Sequence, residues 1–169
     1  MKKGFFTLII MISGSLYSQV AIGKTTLESA SSSLEFGTEN KGIVLPWVTD
    51  TSGIQNPVNG TLIFDASDKK VKVYQNNIWE DLSVDATGIA DTGLQDALTE
   101  NSMAKMSIGV PTATSGILVL EDNDKAMILP KIASPHLNII SPSAGMMVYD
   151  TVKKQLAVFN GSVWTFWGE

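Results

Sequence analysis

Apolar positions along this chain fall in short alternating runs separated by Gly, Pro, Asn, Asp and Ser. That pattern predicts short β-strands joined by tight turns. One block of it occurs twice. Residues 60–79 read GTLIFDASDKKVKVYQNNIW and residues 145–164 read GMMVYDTVKKQLAVFNGSVW. Each copy has a glycine, an apolar strand ending in aromatic-Asp, a Lys-containing turn, a second apolar strand, a polar turn and a Trp. In the first copy Leu62 and Phe64 share one strand face and Ile63 takes the other, while Val71, Val73 and Tyr74 lie on the return strand. Asp65 suits the first turn position, because its side chain can accept from backbone N–H groups just ahead. Residues 78–82, IWEDL, resume the alternation after the Gln75-Asn76-Asn77 turn.

The flanking sequence extends the same logic. Residues 19–33 (QVAIGKTTLESASSS) give a β-like start and a Ser/Thr-rich approach, and Leu34-Glu35-Phe36 reads as a brief strand with one buried face. Lys41-Gly42-Ile43-Val44-Leu45-Pro46 is another short strand, with Pro46 at its end or on an edge because proline cannot donate to a ladder. Residues 50–59 are turn chemistry anchored by Ile54. Residues 84–93, VDATGIADTG, have the composition of a linker. Residues 94–105, LQDALTENSMAK, place Leu94, Ala97 and Leu98 at helical spacing and predict a short helix. A helix so small needs a surface to dock on.

From Ser107 the order recurs. Ile108-Gly109 echoes Ile22-Gly23, and residues 117–120 take the place of Leu34-Glu35-Phe36. Lys125, Leu129 and Pro130 match Lys41, Leu45 and Pro46 at an offset of 84; Pro142, Gly145, Asp150, Lys154, Val158 and Trp164 match Pro57, Gly60, Asp65, Lys69, Val73 and Trp79 at an offset of 85. The expected fold is therefore mainly all-β. Two tandem, small, hairpin-rich units span residues 19–82 and 107–169, joined across residues 83–106 by a Gly/Asp-rich linker and a short helix.

The first residues stand apart. Lys2 and Lys3 precede the apolar run FFTLIIMI at residues 5–12, and small and polar residues follow to Ser18. This is the layout of a secretory signal peptide spanning residues 1–18, with cleavage before Gln19. The apolar run is far short of the roughly 20 residues a membrane-spanning helix needs. Removing residues 1–18 from the 169 leaves 151, with 10 basic against 17 acidic side chains. An acidic chain without a basic run offers nucleic acid no electrostatic footprint. The chain has no cysteine, so packing or oligomerisation must replace disulfides, and a lipid-modified Cys is excluded. The expected location is outside the cytoplasm: periplasmic, outer-membrane-associated or extracellular.

The recurring residues resemble a module found in exported proteins of flavobacteria-like bacteria and in some phage tail-fibre proteins. The resemblance rests on Val20-Ala21-Ile22-Gly23, on residues 41–46, on Pro57-Val58-Asn59-Gly60, on Phe64-Asp65 and on residues 74–79. In the second unit it rests on Ile108-Gly109, residues 125–130, residues 142–145, Tyr149-Asp150 and residues 159–164. Departures are Ala21 and Ala126, where such modules carry Gly, and Asn76-Asn77, where the second unit has Asn160-Gly161. The resemblance implies a surface-exposed or fibre-associated part of a larger assembly, with an attachment or structural role.

No constellation of side chains specifies catalysis. His136 is the one histidine, and without Cys or an acidic cluster beside it makes no metal site. Residues 141–145, SPSAG, lack the leading Gly of a nucleophile elbow, and Val58 stands where the second unit has Ser143. Glu121-Asp122-Asn123-Asp124 lacks the calcium-loop ligand pattern and reads as a solvated turn. No phosphate-cradling Gly-rich loop occurs. No catalytic residue, metal ligand or cofactor is expected. Pro46, Gly60, Asp65 and Trp79, with Pro130, Gly145, Asp150 and Trp164, are expected to be structural repeat residues, each Trp closing its hairpin as core. Trp47 and Trp167 lack Trp counterparts and are candidates for a contact surface with a partner chain. Asp150-Thr151-Val152 resembles a short bacterial O-glycosylation acceptor, with Thr151 as its site.

Units of this size are marginal alone. Either the two pack on each other or several chains share one core, and the fibre-like resemblance favours association between chains. The functional expectation is a non-enzymatic structural or adhesion-type component of a cell-surface assembly. Its partners would be further protein chains (a homo-oligomer, for instance a trimer, or an outer-envelope complex) or glycan. A duplicated carbohydrate-binding module is the alternative, and it requires Trp79 and Trp164 to lie exposed on flat faces.

Overall fold

The chain is described here from a computed structural model that defines residues 19–93, 95–99, 101 and 103–168; the expected signal peptide lies outside them. The first repeat contains β1 (Val20–Ile22), β2 (Ser32–Phe36), β3 (Ile43–Val44), β4 (Trp47–Val48), β5 (Leu62–Asp65), β6 (Lys70–Gln75) and β7 (Ile78–Asp81). The second contains β8 (Met106–Gly109), β9 (Leu118–Glu121), β10 (Ala126–Met127), β11 (Lys131–Ile132), β12 (Met146–Asp150), β13 (Gln155–Phe159) and β14 (Trp164–Trp167), with a one-turn helix α1 (Pro135–Asn138) between β11 and β12. The fold is all-β and duplicated.

Each repeat builds a meander on its hairpin. In the first, β5, β6 and β7 run antiparallel, with Phe64 opposite Val71 and Tyr74 opposite Trp79, and β4 joins β5 in parallel. The second repeats the plan with β11 beside β12, β13 and β14. Ahead of each meander a parallel pair forms, β1 with β2 and β8 with β9.

The repeats then interlock. β3 of the first pairs antiparallel with β12 of the second, and β10 of the second pairs parallel with β2 of the first. The central core draws Leu45, Phe64 and Val71 from the first repeat and Ala144, Met147 and Val158 from the second. Burial of such side chains contributes about 1.5–3 kcal/mol each, so neither meander keeps this core without the other. A second cluster, with Ile132, Ile139, Met146, Val148, Ala157 and Phe159, covers the opposite face of β12 and β13. On the matching face of the first repeat, Lys72 and Asp81 stand where Ala157 and Phe166 lie. Lys72 Nζ meets Asp68 at 2.5 Å and Asp81 at 2.8 Å, so an ion-pair cluster replaces apolar packing there.

The linker corrects one expectation. No helix forms among the described residues of 94–105. They make separate turns: Gln95 and Asp96 donate to the Thr92 carbonyl, Leu98 to that of Gln95, and Ala104 to that of Asn101. Leu98 is 74% exposed and Ala97 is exposed beside it, so neither docks on a surface. The Asn101 side chain also accepts from Met103 N, a local bond that competes with helix. The preceding linker is instead laced to the second repeat. Asn160 Nδ2 donates to the Asp85 carbonyl at 2.9 Å, and Gly161 lies so close to Ile89 that an added Cβ would stand 2.0 Å from its carbonyl oxygen.

Candidate functional site: the seam between the repeats

The recurring residues occupy equivalent places. Gly60 and Gly145 both have positive φ, at 92° and 76°, backbone that side chains disfavour. At Gly145 an added Cβ would also stand 2.8 Å from Phe64 Cβ of the other repeat, whereas Gly60 faces open space. The Asp65 side chain accepts from Ser67 N at 3.0 Å. Asp150 does more, accepting from Val152 N at 2.9 Å and from Lys153 N and Ser134 N. Burial pushes the Asp150 carboxyl up, but these N–H donors outweigh it and hold it below the ordinary value. Pro46 and Pro130 sit between strands, and their carbonyls accept from Phe64 N and Tyr149 N, both at 2.9 Å.

The tryptophans divide by environment. Trp79 is half-buried against Tyr74, edge-on at 5.2 Å between centroids. Trp164 is half-buried beside Phe159 at 5.1 Å and stacked on Phe166 at 6.4 Å. Both rings are half-buried against aromatic neighbours rather than fully exposed, and the carbohydrate alternative gains no support. Trp47 spans the seam, packing on Phe64 and donating its indole N–H to the Ala144 carbonyl at 2.8 Å. Trp167 is 44% exposed and donates to the Leu82 carbonyl at 2.7 Å. Thr151 is exposed beside the Asp150 turn.

The seam also has a charged flank that sequence reasoning missed. Glu35 is buried on β2. It accepts from Glu28 N at 2.8 Å, from Ser29 N at 2.9 Å and from Lys24 Nζ at 2.8 Å. The Glu28 N–H, followed by the Lys24 ammonium, brings its carboxyl down to about 2. Glu28 in turn reaches Lys131 of the second repeat at 2.9 Å. The signal available was an acidic residue inside a short strand, where burial demands partners.

Among the described residues no group of His, Cys, Asp and Glu is placed to hold a metal ion, and no helix is long and apolar enough to cross a membrane. The seam itself is built of strand pairing, an indole hydrogen bond and interdigitated apolar side chains, the chemistry of association between protein modules. That defines a duplicated β-structural protein. The chain belongs to the family described as the phage tail like trimerisation region, which matches residues 21–95 and again residues 107–168. The family is structural and oligomerising, not catalytic. No curated protein and no solved structure gives a significant match.

Proposed function

We propose that this chain is an exported structural component of a cell-surface or outer-envelope assembly, working as a homotrimer through protein contact. The observation that carries this is the seam. Two small repeats, each marginal alone, complete one another by pairing strands across the seam, and the family matched by both is a trimerisation region. The same chemistry suits association between chains. In this reading the signal peptide is removed before Gln19, the mature chain is attached through further protein chains or glycan, and Thr151 is open to O-glycosylation. The likeness to surface proteins of flavobacteria-like bacteria belongs to the same proposal.

Light scattering and the intact mass of the exported chain test this together. The expected results are three times the single-chain molar mass in solution, a sequence starting at Gln19, and any added hexose lost in Thr151→Ala. A monomer at all concentrations, or an uncleaved N-terminus in the exported fraction, contradicts the corresponding part.

A further inference from the structure

The contacts between the repeats run in one direction only. β3 of the first lies on β12 of the second, with Ile43 opposite Met147, Val44 opposite Met146, and Leu45 N donating to the Gly145 carbonyl at 3.0 Å. β10 of the second lies beside β2 of the first, with Ala126 N donating to Ser31 and Ile128 N to Leu34, both at 2.9 Å. Carried forward by one repeat, the same two contacts would set a β10 on a β5 and a β9 beside a β3. Within the chain neither forms. Among the described residues β5 has only β4 and β6 as neighbours, and β9 has only β8.

The open edges match. Peptide groups alternate sides along a strand. Ala126 and Ile128 bond β2, so the groups of Met127 face away from it. In β3 the assignment is inverted: Ile43 and Leu45 serve β12, and the groups of Gly42 and Val44 turn outward. The repeated Lys-to-Pro segment thus has two pairing edges, and each copy uses the edge that the other leaves open. On β5, Phe64 N and Ala66 N donate toward β4. The groups of Leu62 therefore face the same side, where its counterpart Met147 meets β3.

Exposure follows the same pattern. Leu34, beneath β10, is 2% exposed, while its counterpart Leu118 on β9 is 42% exposed. Met147 under β3 is 3% exposed, and its counterpart Leu62 is only half-buried.

We infer that the second repeat of one copy binds the first repeat of the next by strand addition, β10 against residues 60–62 and β9 against β3. The occupant of these edges is a second copy of this chain, and the inference rests on the self-association reading above. The expected register sets Met127 opposite Leu62 and Ile128 opposite Thr61, with Leu129 N donating to the Gly60 carbonyl. Such a head-to-tail contact repeats until a ring closes, here at three chains.

The described chain has no cysteine of its own, so disulfide trapping reads the register directly. Opposed residues of a non-hydrogen-bonded antiparallel pair have Cα atoms about 4.5 Å apart, within disulfide reach. In the full exported chain, V44C/M146C should crosslink within one chain and run at single-chain mass on a non-reducing gel. T61C/I128C should give covalent species up to three chains, and T61C or I128C alone no more than two. Leu118→Lys should lower the assembly to single chains without changing the circular dichroism. A wild-type trimer whose T61C/I128C variant stays uncrosslinked, or crosslinks within one chain, overturns this interface but leaves self-association standing. So does a Leu118→Lys variant that remains trimeric. A wild-type chain that is monomeric throughout overturns both.

Discussion

Gly145 and Gly60 separate two reasons for keeping a glycine. Both have positive φ, but only Gly145 also has Phe64 of the other repeat at its back. Gly60→Ala should cost about 1–2 kcal/mol from backbone strain alone. Gly145→Ala should cost more, because Phe64 must also move, and urea unfolding of the two variants side by side checks the order. Glu35 makes a prediction of a different kind. Its carboxyl sits near 2 against an ordinary value of 4.5, so the folded state binds the proton more weakly than the unfolded one. The stabilisation is complete above about pH 4.5 and is lost as pH falls toward 2. The denaturation midpoint of the wild type should therefore fall across that window. Glu35→Gln should be less stable at pH 7 and show a shallower acid slope. Identical slopes would mean that Glu35 is not held by its donors.

At the scale of elements, the hairpins were legible because their period-2 alternation, turn Asp and turn glycines all agree. The two copies also checked each other. Lys69 and Lys154 even share a positive φ at the turn, which no propensity would reveal. Among the described residues of 94–105 separate turns replace the expected helix, and Ala97 and Leu98 of its apolar stripe are exposed. Leu98→Ser should accordingly change stability by less than about 0.5 kcal/mol, read from the thermal midpoint. A large loss would mean that this stretch docks on a partner. The strands that cross between the repeats were not legible. The pattern marks residues 41–46 and 125–130 as strands, but partner choice depends on which edge each presents, and side-chain alternation carries no record of that.

At the scale of the whole molecule, the duplicated units are not beads on a linker. They share a core, and residues 83–90 are bound along the second repeat by Asn160 and by Thr165, which accepts from Val84 N. Of the two routes to stability open from the sequence, packing of the units on each other is the one the structure contains. Family membership adds association between chains. The pairings inside the chain use one edge of each Lys-to-Pro segment, and Trp47 and Lys131, which differ at one aligned position, both lie at the seam. The most direct test is the molar mass of the mature chain by size-exclusion chromatography with light scattering, across a wide concentration range at neutral pH. A trimer of three times the single-chain mass, held on dilution, is the expected result. A compact particle of single-chain mass at every concentration would contradict it.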